Sequence, residues 1–215
     1  SCKGTVLQGE IQQGAYQENA LSISDRNAGM ALLCCAKPLT DVKIACQTLA
    51  MAKDIQVKTL PCRVESLEKV VDDVIVMSLK LPTNERLQFL AGQYIDILTK
   101  DGKRRSYSLA NAPHDDAFLQ LHLRYQANGE FSRYVFETLK PRDILRFQGP
   151  LGTFFLREDS DKPIIFIASG TGFAPVKSIL EHMFQQHSDR QIVFYWGGRT
   201  LRDLYMLPLA QEWQN

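Results

Sequence analysis

The chain contains no run approaching the roughly 18 apolar residues of a membrane-spanning helix. Its longest obvious candidate, Pro163-Ile164-Ile165-Phe166-Ile167-Ala168, reads as a buried strand, and no membrane span is expected. Charge imbalance is nearly absent as well, with 25 lysines and arginines against 24 aspartates and glutamates. Bulk electrostatics therefore points neither to nucleic acid nor to an anionic membrane surface, and any partner must be chosen by local sites. Cysteine is sparse and irregular: Cys2, Cys34, Cys35, Cys46 and Cys62 are odd in number. That disfavours a disulfide scaffold and fits a reducing, cytoplasmic setting. An initiator methionine and a targeting segment are missing too, so the opening Ser1-Cys2-Lys3-Gly4 reads as the start of a fragment.

What is present is an ordinary globular composition of 215 residues, 45% of them hydrophobic, enough for one large or two small domains with their own cores. From Lys3 to about Ile55, short strands at Thr5-Val6-Leu7 and Val42-Lys43-Ile44-Ala45 are separated by turn formers around Ser22, Asp25, Asn27 and Gly29. From Cys62 the texture becomes alternating strands. Val70-Val71 and Val74 to Met77 flank the break at Asp72-Asp73, and Gln93 to Leu98 turns at Lys100-Asp101-Gly102-Lys103 into Arg104 to Leu109. Phe118 to Tyr125 alternates with Leu119, Leu121, Leu123 and Tyr125 on one face and Gln120, His122 and Arg124 on the other, a half-buried strand. Asp143 to Phe147 adds another strand before a tight turn at Gly149-Pro150-Leu151-Gly152, and the set suggests a small antiparallel barrel. After Asp161 a strand, a helix carrying Val176, Ile179, Leu180, Met183 and Phe184 inward, and the strand Ile192 to Trp196 make a βαβ unit with a parallel sheet.

Three short motifs carry chemistry. In Arg104-Arg105-Ser106-Tyr107-Ser108-Leu109 the ring of Tyr107 can stack on an isoalloxazine, the Ser108 hydroxyl can bond near a ring nitrogen, and Arg105 is a cation for a pyrophosphate. Taken alone the hexamer also reads as an ordinary solvated strand edge. Gly129-Glu130-Phe131-Ser132 opens a short helix whose free N–H groups can face a phosphate, or Ser132 is a plain N-cap. Gly170-Thr171-Gly172-Phe173-Ala174-Pro175 follows a strand and opens a helix; its proline is tolerated in the first turn, while glycines in such a turn also have a steric explanation. Cys35, Cys46 and Cys62 read as packed thiols. Cys2 and Cys34 stand apart, because Ser-Cys-Lys-Gly resembles the end of a ferredoxin cluster loop and Leu33-Cys34-Cys35-Ala36 the segment bearing its fourth thiolate.

In this order and at these separations, the three motifs resemble the ferredoxin–NADP reductase superfamily over residues 62 to 215. With the ferredoxin-like piece in front, the whole chain resembles its ferredoxin-fused branch, the reductase components of oxygenases and the CDP-6-deoxy-glucoseen reductases. The resemblance implies a multidomain chain. Part of a β-grasp ferredoxin domain (1–56) precedes an antiparallel β-barrel flavin domain (57–158) and the N-terminal half of an α/β, Rossmann-like nucleotide domain (159–215). It implies that Tyr107 stacks on the flavin, Ser108 sits near its reactive nitrogen and Arg105 holds the pyrophosphate of FAD. His122, Leu123 and Arg124 match the strand lining the cofactor, and Gly129, Phe131 and Ser132 the phosphate-binding helix start. Gly170, Thr171, Gly172 and Pro175 match the loop receiving the nicotinamide of NAD(P)H, and Arg199, Asp203 and Tyr205 the segment meeting the rest of that nucleotide. Cys2 and Cys34 become expected ligands of a 2Fe-2S cluster.

Two departures stand out. The chain stops before the family's second Rossmann half, and Arg142 occupies a turn position after Pro141 where glycine is usual. The implied activity moves a hydride from NAD(P)H to FAD and single electrons through the cluster to a redox partner such as an oxygenase or dehydratase. Gly197-Gly198-Arg199 offers one arginine and no serine for a 2′-phosphate, which favours NADH. Two rivals remain at this stage: a non-enzymatic FAD and iron-sulfur electron-transfer or redox-sensing subunit, and a binding module whose glycines are structural.

Overall fold

The computed structural model describes residues 3–45 and 55–214. The chain divides into two compact units, Ser1–Lys53 and Asp54–Asn215. In the first, strands β1 (Lys3–Gln8), β3 (Met30–Leu32) and β5 (Lys43–Ala45) form an antiparallel sheet in the order β3-β1-β5, while β2 (Ile11–Gln13) pairs with β4 (Ala36–Pro38). Among the residues read as turn formers lies a short helix, α1 (Ile23–Asn27). Its cause is local. The Ser22 hydroxyl accepts from the Asp25 N–H at 3.1 Å while Asp25 accepts from the Ser22 N–H at 2.9 Å, a reciprocal capping box. Lys3 lies 2.6 Å from the same carboxylate and, with Ser22, holds its pKa down at about 2.

The second unit begins with β6 (Lys58–Val71), β7 (Val74–Lys80), β8 (Tyr94–Leu98), β9 (Arg104–Ser108), β10 (Leu119–Arg124), helix α2 (Glu130–Glu137) and β11 (Ile144–Leu151). The six strands form one antiparallel sheet in the order β10-β7-β6-β11-β8-β9. A bridge between Leu109 and Leu121 brings the two edges together, so the sheet closes as the expected barrel. Inside it Val64, Met77, Leu79, Ile95, Ile97, Leu109, Leu121, Leu123 and Phe147 are all fully buried. Each such side chain stabilises the fold by roughly 1.5–3 kcal/mol through area removed from water. β11 runs on through Gly149-Pro150, where a tight turn was expected. Pro150 falls in the register shift between Gln148 and Leu151, where no ladder N–H is needed. A Cβ on Gly149 would meet Ile95 at 2.5 Å, so glycine lets the strand lie against β8.

The chain then enters β12 (Ile164–Ser169), α3 (Phe173–Gln185), β13 (Ile192–Gly197) and α4 (Leu207–Glu212). β12 and β13 are parallel, as the βαβ pattern requires. Val176, Ile179, Leu180 and Met183 of α3 are buried, but Phe184, expected inward, is 43% exposed. β12 is not the fully buried strand that its apolar run suggested. Only one face is covered: Phe166 is buried, while Ile165 and Ile167, with Val193 and Tyr195 of β13, line an exposed face. Among the described residues no helix is long and apolar enough to cross a membrane.

Candidate functional site

The hairpin of β8 and β9 sets the first half of the site. Register pairs Arg105 with Ile97 and Tyr107 with Ile95, so the cation and the ring share the face of those core isoleucines at the sheet's edge. Ser106 points the other way and donates to Asp96 at 2.6 Å. Across from the hairpin stands α2, whose Phe131 packs near the Tyr107 ring at 5.8 Å between centroids. Burial pushes the Tyr107 phenol up to about 12 against the nearby Arg105 charge, so it stays neutral across the physiological range. Ser108 is half-buried, opposite Tyr94.

Between hairpin and helix lies a cavity of about 1060 Å³ lined by Thr99, Lys100, Arg105, Glu130, Phe131 and Tyr134, among others. Arg105 shares this lining with two further cations, Lys100 and Arg146. Its Nη1 donates to the adjoining Arg104 carbonyl at 2.8 Å, and among the described residues it has no carboxylate within ion-pair distance. Glu130 is the first residue of α2 and is bridged at 2.8 Å by Lys103, which also pairs with Asp101. The N-cap is Gly129 with no side-chain cap, so Ser132 does not cap the helix. The Ser132 hydroxyl instead accepts from the Gln126 N–H at 3.0 Å and lies 3.0 Å from the Gly129 carbonyl, folding the 126–132 loop tightly.

The second half of the site is the turn entering α3. Gly170 to Gly172 form a single 3-10 turn, with Gly170 at φ +51°, and Pro175 follows in the first turn of the helix. The Gly170 carbonyl accepts from the Trp196 indole N–H at 3.0 Å. Gly172 is exposed, Thr171 half-buried, and a Cβ on Gly172 would find only the Ala168 Cβ, at 3.6 Å. The approach to this turn is open.

The other expected contacts are brought together elsewhere. His122 and Arg124 lie on the outer face of β10, which was expected to be half-exposed, yet His122 is only 4% exposed because the 201–205 segment covers it. Its Nδ1 sits 2.7 Å from the Tyr205 hydroxyl, and Phe173 stacks alongside at 6.3 Å. Burial, with help from the Lys177 charge, pulls its pKa down to about 3, so the ring is neutral at pH 7. Arg124 Nη1 donates to Asp203 at 2.8 Å and Nε lies 3.4 Å from Asp73. Asp203 also accepts from the N–H groups of Arg199 and Thr200 at 2.9 and 3.1 Å. The Thr200 N–H foremost, with Arg124, holds its pKa below the ordinary carboxylate range. His122, Arg124, Asp203 and Tyr205 thus form one buried cluster between barrel and nucleotide-type unit. Leu123 points into the barrel core, leaving its backbone for any ligand, and Arg199 is 86% exposed.

In the first unit Cys34 is exposed on a 3-10 turn (Leu33–Cys35), with the Cys35 sulfur 3.6 Å away. Cys35 is half-buried, not the packed thiol that was expected; Cys62 is packed, and burial pushes its thiol up to about 12. Cys2 and Cys46 lie outside the described residues. Among the described residues no group of three or more histidines, cysteines or acids could hold a metal ion. Sequence reasoning missed Asn111, Lys177 and Ser178, all buried where barrel meets α3. Their one signal is two polar residues interrupting the apolar stripe of that helix.

A family model described as an oxidoreductase FAD-binding domain matches residues 61–156, and one described as an oxidoreductase NAD-binding domain matches 166–215. The chain is 42% identical over 213 residues to the CDP-6-deoxy-L-threo-D-glycero-4-hexulose-3-dehydrase reductase of Yersinia pseudotuberculosis, covering 99% of this chain and 63% of that protein. It is 34% identical over 217 residues to reductase component 2 of the terephthalate 1,2-dioxygenase of a Comamonas species, covering 100% of this chain and 63% of that one. Among solved structures, the Amycolatopsis cytochrome P450 reductase GcoB superposes with a TM-score of 0.76 at 34% identity, over 99% of this chain and 65% of that one. The chain thus spans a little under two thirds of these relatives. Residues 61–156 and 166–215 thus carry FAD-binding and NAD-binding domains of the ferredoxin–NADP reductase type.

Proposed function

We propose that the chain is the flavin- and nucleotide-binding part of a reductase that takes a hydride from NAD(P)H onto FAD and delivers electrons singly, through a 2Fe-2S cluster, to a separate enzyme. The observation that carries this reading is Arg105, a half-buried guanidinium without a carboxylate partner among the described residues, lining a cavity beside a helix start and two positions from a neutral, half-buried phenol. That donor set suits an FAD: Arg105 and the N–H groups at Phe131 and Ser132 would hold its pyrophosphate, with Gly129, whose own N–H is taken by the Gln126 carbonyl at 2.8 Å, shaping the helix start. Tyr107, backed by Phe131, would cover one ring face, and Ser108 would bond at the ring edge.

Bound FAD supplies a centre that takes electrons in pairs and gives them up singly. The chain's own residues bind and orient. The turn at Gly170, Thr171, Gly172 and Pro175 receives the nicotinamide end, with His122, Arg124, Asp203 and Tyr205 fixing its distance from the barrel. Arg199 is the exposed cation for the remainder of the nucleotide, and without a neighbouring serine it favours NADH. Neutral His122 carries no imidazolium proton to deliver at pH 7. The domains divide at 1–56, 57–158 and 159–215. Cys2 and Cys34 would be two of the four thiolates that such a centre needs. The partner is an oxygenase or a dehydratase, as the hexulose dehydrase reductase and the dioxygenase reductase component similar to this chain suggest.

The test is anaerobic mixing of the FAD-loaded full-length protein with NADH. Rapid bleaching of the flavin absorbance is expected; a flavin that stays bound and oxidised overturns the reading. In Ser108→Ala, FAD retention should persist while dye reduction slows, and an undiminished rate would sink the role given to that hydroxyl.

A further inference from the structure

Helix α3 is polar at the centre of its buried face. Lys177 is 9% exposed and Ser178 0%, beside the core residues Val176, Ile179 and Leu180. Both side chains cross to the segment that continues β9. Ser178 Oγ donates to the Asn111 carbonyl at 2.7 Å, and Lys177 Nζ donates to the Ala110 carbonyl at 3.3 Å while pairing with Glu181 at 2.8 Å. The receiving segment is held from its other side. Ala110 N–H donates to the Gln120 carbonyl at 2.8 Å, Asn111 Oδ1 accepts from the Gln120 N–H at 2.9 Å, and Asn111 Nδ2 donates to the Asp115 carbonyl at 2.7 Å. An apolar pair on α3 would fill the same volume without the cost of burying an ammonium and a hydroxyl. What it could not do is aim at two successive carbonyls.

We propose that Lys177 and Ser178 are positioning residues that set the register between the nicotinamide-receiving turn and the flavin strand, an inference that rests on the function proposed above. The lever arms are short. Ser178 lies six residues beyond Gly172, about 9 Å along a helix, and Asn111 three residues beyond Ser108, about 10 Å along an extended chain. Both arms are buried and hydrogen-bonded, so a slip at the pin is carried to the place where hydride donor and acceptor meet. A misplacement of about 1 Å there costs on the order of 100-fold in rate. The Arg124–Asp203 and His122–Tyr205 contacts hold the other side of the same junction, so losing the pin shifts α3 without parting the two halves.

The test uses Ser178→Ala and Lys177→Met in the full-length protein. Without FAD, amide hydrogen exchange over residues 170–176 should quicken by about tenfold in both variants as the turn loosens; unchanged exchange overturns the pin. With FAD bound, the limiting rate of flavin reduction by NADH should fall by about 10- to 100-fold while FAD retention and the half-saturating NADH concentration stay within about twofold. Faster exchange with an unchanged limiting rate overturns the positioning role, as does a loss confined to NADH affinity. A wild-type protein that NADH does not reduce would instead overturn the proposed function, with the exchange result still deciding the pin.

Discussion

The two glycine-started helices of the second unit look alike in sequence and differ in charge. At the start of α2 an acid, Glu130, sits in the first turn under Lys103, and Arg105, which lines the cavity with Lys100 and Arg146, has no carboxylate partner among the described residues. At the start of α3 no acid is present in the first turn, and the cation at the turn is Arg124, whose guanidinium carbon would lie 3.5 Å from a Cβ at Gly170. That cation is already engaged by Asp203 and Asp73. One turn therefore has a positive charge left without a carboxylate, while the other uses its charge to join two parts of the fold. The shared Gly-x-x or Gly-x-Gly lettering fixes the backbone; the side chains that neighbour it decide what the backbone can hold.

The sharpest way to break this contrast is to remove Arg105. Arg105→Ala should weaken FAD retention by roughly 1.5–3 kcal/mol, the loss of a charge-assisted contact, read as the dissociation constant for FAD. Unchanged retention would place the pyrophosphate elsewhere. Next is the neutral histidine beside the engaged cation. Because the folded pKa of His122 is about 3 and an unfolded histidine titrates near 6.5, the unfolded state binds the extra proton as pH falls. Stability should be flat above pH ~6.5, decline as pH falls below it by about 2 kcal/mol at pH 5, and level off below about 3. Denaturant midpoints at pH 7 and 5 would check this, and His122→Gln should lose that pH dependence.

Arg124→Gln should raise the half-saturating NADH concentration by about tenfold, because the 199–205 segment loses its anchor, while FAD retention moves less than in Arg105→Ala. A larger effect on FAD than on NADH would make the two cations equivalent and erase the contrast. The smallest effect lies outside both turns. Arg142 holds φ at 80°, a left-handed conformation uncommon for a residue with a side chain, and its N–H donates to the Val64 carbonyl at 2.7 Å. Arg142→Gly should stabilise the fold by about 1 kcal/mol through relief of that strain, measured by urea unfolding.

Much of this was legible along the chain because its causes are local. The Lys100-Asp101-Gly102-Lys103 turn dictates the β8–β9 hairpin, strict alternation places Leu119, Leu121 and Leu123 inside the barrel, and the strand-turn-helix around Gly170 needs only glycine and an early proline. Other features were missed for equally plain reasons. α1 was hidden because Ser22 and Asp25 serve turns and caps alike, and the exposed face of β12 because an apolar run carries no sign of which side is covered.

By itself the sequence determined the three motifs, the barrel and the parallel unit after it, since turn chemistry and periodicity act between neighbours. Only the tertiary structure decided that Arg105 is available while Arg124 is engaged, that His122 is buried and neutral, and that Lys177 and Ser178 reach the carbonyls beyond the flavin strand. The physical reason is that a charge or a hydroxyl is defined by what stands within about 3 Å of it, and those neighbours come from the far side of the sequence: Asp203 for Arg124, Tyr205 for His122, Ala110 and Asn111 for the pin.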